Sequence, residues 1–132
     1  MKKSKGPSLS EFGVNTEEII TGLTEIVEET QANSAEWSID DWKEAYRAIN
    51  LYSIPVVVFS AQLTAAIQTQ GDKAESQFGR ATEELALFNE KFAELTQAFL
   101  AIASETGAAQ AIAEDADFQQ ELKEKTLAAM QE

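Results

Sequence analysis

The chain has 132 residues with 23 acidic and 10 basic side chains, giving a formal charge of −13; a single domain of this size buries roughly two-thirds of the surface its unfolded form exposes. It contains neither cysteine nor histidine, which excludes disulfides, thiolate nucleophiles, zinc ribbons and iron–sulfur ligation, and removes the commonest general base and transition-metal ligand. The acidic balance opposes long-range attraction to nucleic acid and anionic lipid.

Lys2, Lys3 and Lys5 open the chain without the apolar run of a secretory signal, and Gly6 with Pro7 follows at once. Residues 1–14 therefore read as a flexible basic tail ahead of a single helical domain over 15–132. Inside that tail, Ser8 and Glu11 have the spacing of a capping box, so Leu9 to Phe12 predicts one turn that Gly13 ends. A firmer start follows. Asn15 stands as N-cap with Glu18 at N3, and Val14 and Ile19 have the spacing of a hydrophobic staple. The first helix is expected over 16–32. Its apolar face is Ile19, Ile20, Leu23, Ile26 and Val27, with Glu17, Glu18, Glu25, Glu28 and Glu29 mostly elsewhere.

Asn33 and Ser34 form the connection. Ser38 and Asp41 then repeat the capping logic, and Trp37 and Trp42 are placed to staple, so the indoles read as packing groups rather than a ligand site. The second helix, expected over 39–70, carries no charge between Arg47 and Asp72. A membrane span needs about 20 apolar residues, but Asn50, Ser53, Ser60, Gln62, Thr64 and Gln68 interrupt this run, so the expectation is a core helix buried on most sides. Pro55 has no amide hydrogen and frees the carbonyl of Leu51, which predicts a kink.

Gln70, Gly71 and Asp72 make the next turn, with Asp72 as the expected cap and Glu75 at N3. The third helix, 73–105, would reach about 50 Å. Its seam of Phe78, Ala81, Leu85, Phe88, Phe92, Leu95, Phe99 and Ile102 steps by three and four residues, and the phenylalanines suit the wide core of a bundle. Gly79, Ala86 and Ala93, with Leu87 and Leu100 beside them, form a second face. Gly107 predicts a C-cap. A last helix over 108–130 holds Ala108, Ala109, Ile112, Phe118, Leu122, Leu127 and Met130, with Asp117 and Gln120 marking a fresh start near Phe118.

Chemical motifs are missing. The acidic cluster Glu114, Asp115, Asp117 and Glu121 lacks the glycine and ligand spacing of a calcium loop, and without histidine the Glu-x-x-His ligands of di-iron bundles cannot be built. No phosphate loop, nucleophile elbow or dinucleotide fingerprint occurs. No catalytic, cofactor or metal residue is therefore expected.

The reading is an all-α antiparallel bundle of about four helices, with one long central helix and a Pro-kinked apolar one. Its expected function is non-enzymatic interaction or assembly, in the cytoplasm or a soluble assembly, with a protein partner or a second copy. The candidate interaction residues are Phe78, Leu85, Leu87, Phe88, Phe92, Leu95, Phe99, Leu100 and Ile102. Two alternatives stand beside it: membrane insertion of the uncharged segment 48–71, and an acidic inhibitor that imitates nucleic acid in a basic cleft.

Overall fold

Local capping chemistry sets where the helices begin, and the computed structural model, which describes residues 6–131, is all-helical. Five helices follow in order: α1 (Thr16–Asn33), α2 (Ile39–Gln70), α3 (Lys73–Thr106), α4 (Ala108–Glu114) and α5 (Ala116–Gln131). Two 3-10 turns, Leu9–Phe12 and Ser34–Glu36, complete the elements, and no strand occurs among the described residues. Asn15 caps α1 by accepting the Glu18 amide at 3.1 Å, and the staple residues Val14 and Ile19 are both buried. Ser38 and Asp41 close a reciprocal capping box at the start of α2.

Two expected boundaries are corrected. Asp72 does not cap α3 through its side chain; its own backbone is helical, whereas a capping residue needs extended dihedrals to reach back. The reversal is made by Gly71, whose φ of +56° is open to glycine. The single last helix is instead split into α4 and α5. Asp115 takes an extended conformation and its Oδ1 accepts the Phe118 amide at 3.0 Å, so the fresh start comes earlier than Asp117.

The expected tail over 1–14 is corrected as well for its described part. The Leu9–Phe12 turn has the predicted capping box and the left-handed Gly13 stop, and it is packed down: Leu9 and Val14 are buried. The Leu9 amide donates to Glu84 Oε1 on α3 at 2.7 Å. Phe12 stacks on Phe78 at 5.0 Å and meets Phe59 at 5.3 Å. Apolar side chains outside the long helices still find a surface if one lies within reach, and local spacing does not report it. The three lysines that suggested a basic tail lie outside the described residues.

The core has two centres. One gathers Leu9, Val14, Ile19, Leu23, Phe59, Phe78, Ala81, Leu85 and Phe88. The other gathers Val27, Trp42, Phe99, Ala103, Ala108, Ile112 and Phe118. Ile26, Ile49 and Leu95 pack against both and join them. At the second centre Trp42 and Tyr46 stand edge-on to Phe99 at 5.5 and 5.2 Å, and Trp37 stands edge-on to Trp42 at 5.0 Å. The tryptophans are thus packing groups.

Gly22 lets α1 and α2 approach. A Cβ at this position would overlap the Tyr52 hydroxyl and the ring carbon that bears it. Gly22→Ala is expected to lower stability, because overpacking of about 1–3 kcal/mol exceeds the ~1 kcal/mol that alanine returns in helix propensity. The urea midpoint should fall for Gly22→Ala and recover when Tyr52→Leu is added.

Candidate interaction surface

The nine candidate residues on α3 do not form one surface. Phe78, Leu85, Phe88 and Phe99 are buried, and Phe92, Leu95 and Ile102 are half-buried against the core. Only Leu87 and Leu100 stand clear, at 71% and 44% exposure. Beside them Ala86 and Ala93 are exposed, so the second face of α3 holds just two large apolar groups.

The larger apolar exposure lies on α2, and this overturns the expectation of a helix buried on most sides. Of its residues only Trp42, Phe59 and Ala66 are buried. Within the six-residue apolar run Ile54 to Phe59, Phe59 alone is fully covered. The reason is geometric: the core contacts α2 along one stripe, and α5 covers part of another.

The placement of α5 follows from ion pairs. Lys43 meets Asp115 at 2.6 Å and Arg47 meets Glu121 at 2.6 Å, so residue numbers climb both helices together. Lys43 and Arg47 also lie over the Phe118 ring, at 5.7 and 5.2 Å from its centroid. This alignment brings the last turns of α5, with exposed Leu127 and Met130, beside the middle of α2, where Leu51 is 64% exposed. Missed in sequence, this surface left one signal: the absence of any charge between Arg47 and Asp72. The hydroxyls there are satisfied within the helix, Ser53 donating to the Asn50 carbonyl, Thr64 to Ser60 and Thr69 to Ala65.

The same pairs dissolve the acidic cluster. Asp115 and Glu121 are committed to cations, and Glu114 accepts from Gln110. The hydrogen bond to Lys43 holds the Asp115 carboxyl below its ordinary range, and that to Arg47 does the same for Glu121. A carboxylate depressed in the folded state contributes stability that is present above its unfolded pKa and lost as the pH falls through the folded value. Acidification below the ordinary carboxylate range is therefore expected to release α5 first. Amide exchange in 116–131 should quicken before that in α3, and the Glu121→Gln variant should lose part of this pH dependence.

Elsewhere the carboxylates line a trough between α1 and α2. Glu25, Glu29, Asp41 and Glu44 border a cleft of about 500 Å³ floored by Gly22, Trp37 and Tyr52, with no basic residue in its walls. An adjoining hollow adds Glu17 and Glu18. This side of the molecule repels anions, and a second acidic chain with them.

No family model matches the chain, and no curated protein or solved structure matches it either.

Proposed function

We propose that the protein is a non-enzymatic helical interaction protein that docks through the uncharged outer face of α2, with α3 as its central core helix. One observation carries this reading: residues 48–71 hold no charge, yet only Phe59 and Ala66 among them are buried. The face carries no charge and sets exposed Leu51 and half-buried Ile54 and Val58 among exposed Gln62, Gln68 and Thr69. Apolar groups gathered on an uncharged face mark interaction sites. The absence of histidine, cysteine and a chemical motif supports a binding role over catalysis.

The architecture proposed with it is an antiparallel bundle. Supporting it, Phe59 meets Phe78 while Trp42 meets Phe99, which sets α2 and α3 in opposite directions. Pro55 sits inside α2 and supports a bend there, since it offers no amide to Leu51.

A second reading has its own observation. Ile39–Gln70 is long and apolar enough by length and composition to cross a membrane, so lipid could cover the same face.

Carbene footprinting of Leu51, Ile54 and Val58 separates the two. Under the interaction reading, labelling of α2 falls as protein concentration rises, in the absence of lipid. Protection that comes only with vesicles replaces this reading by the membrane one.

A further inference from the structure

We propose that the occupant of the α2 face is α2 of a second copy, lying antiparallel to the first; this rests on the reading of α2 as the docking surface. Leu51, Ile54, Val58, Ala61, Ala65 and Gln68 step by three and four residues, the spacing of a helix seam. None of the six is buried: Leu51, Ala65 and Gln68 are exposed, and Ile54, Val58 and Ala61 are half-buried. The seam is graded, with branched side chains in its first half and small or flexible ones in its second. Two copies in opposite directions turn this gradient into a fit. Leu51 then faces Gln68 of the second copy, Ile54 faces Ala65, and Val58 faces Ala61, so every layer sets a larger or branched group against a smaller or more flexible one and repeats under the two-fold axis.

Charge selects the same arrangement. The spacing that carries the seam continues to Arg47 before it and to Asp72 after it. The antiparallel register that pairs Leu51 with Gln68 also brings Asp72, whose side chain makes no cap hydrogen bond, level with Arg47, which keeps its own-chain pairs with Glu44 and Glu121. A parallel register would set Asp72 against Asp72, and like charges opposed across an interface are unfavourable. With a charge of −13 on each chain, two copies approach with least repulsion where both are uncharged, along a stretch of about 36 Å. Leu127 and Met130 flank the first half of the seam and extend the covered area.

The chain has no cysteine, so site-directed cross-linking has no background. Leu51→Cys and Gln68→Cys replace exposed residues, and each variant should fold as the parent does. Light scattering of the parent should give twice the chain mass of 14.5 kDa. Under mild oxidation a mixture of Leu51→Cys and Gln68→Cys should cross-link about tenfold faster than either alone, as expected for thiols held at high effective concentration. In this register position 51 of one copy lies about 25 Å along the helices from position 51 of the other. Rapid cross-linking of Leu51→Cys with itself would overturn the antiparallel arrangement in favour of a parallel one. A parent that stays monomeric at high concentration, or that pairs only on vesicles, would overturn the second copy as occupant. The two levels separate: concentration-dependent protection of α2 without the 51–68 cross-link sinks the pairing and leaves the interaction reading, whereas no protection of α2 sinks both.

Discussion

Replacing Phe99 with alanine is expected to cost about 3–5 kcal/mol of stability, the range for removing a buried aromatic ring and leaving a cavity. For a domain whose total stability is typically about 5–15 kcal/mol, this brings the protein close to unfolding at room temperature. Phe99 is 1% exposed and stands at the meeting point of α2 and α3, edge-on to both Trp42 and Tyr46. Its loss removes ring contacts to both and leaves Ala103 and Ile112 of the same cluster facing a void. Repair by collapse is limited, because Trp42 is held at the start of α2 by the Ser38–Asp41 capping box and by Trp37. The adjacent Leu100 provides the contrast. At 44% exposure, Leu100→Ala should change the urea midpoint little, within about 0.5 kcal/mol as for ordinary surface positions. Trp42 emission should shift to the red in Phe99→Ala before global unfolding, as solvent reaches the indole. Equal midpoints for the two variants would contradict the division of α3 into a buried seam and an open face.

That division shows which features are legible in sequence. The α3 seam is readable because Glu83, Glu84, Glu90, Lys91 and Glu94 frame it, and polar residues on the other faces define an apolar face by contrast. The caps at Asn15 and Ser38 are readable because both partners lie three residues apart. On α2 the contrast fails. From Ile54 to Phe59 every residue is apolar, so the pattern has no face, and only the tertiary packing chooses Phe59 to point inward. The graded seam from Leu51 to Gln68 is hidden for the same reason: alanine and glutamine mark neither a core nor a charged exterior. The bond between Leu9 and Glu84 spans 75 positions, and no local rule reaches so far. Nor does any rule of spacing place α5 along α2, since that depends on Asp115 ending one helix and finding Lys43.

The N-terminal turn yields the other large effect, because the tail reading and the structure differ most there. A chain beginning at Asn15 is expected to lose upwards of about 4 kcal/mol. Leu9 alone falls in the range of about 2–5 kcal/mol for a buried leucine, and Val14 and the Phe12 ring go with it. The sum is less than additive, since these residues share one pocket. What they cover matters more than their own burial. Phe12 bridges Phe59 of α2 and Phe78 of α3, so its removal opens one end of the core between the two longest helices. The shortened chain should bind a hydrophobic dye that the full chain excludes, and should show a lower denaturant midpoint. Glu84→Ala isolates the polar part of the effect. It removes the acceptor of the Leu9 amide together with a loose, exposed ion pair to Arg80 at 4.0 Å that contributes little, and should cost about 1–3 kcal/mol, the penalty for a buried donor left without a partner. If the shortened chain instead kept its midpoint and excluded the dye, Leu9 and Phe12 would contribute nothing to the core. If it weakened as expected while the 51–68 cross-link still formed, the turn would be a stability element at one end of the core, independent of the seam on the outer face of α2.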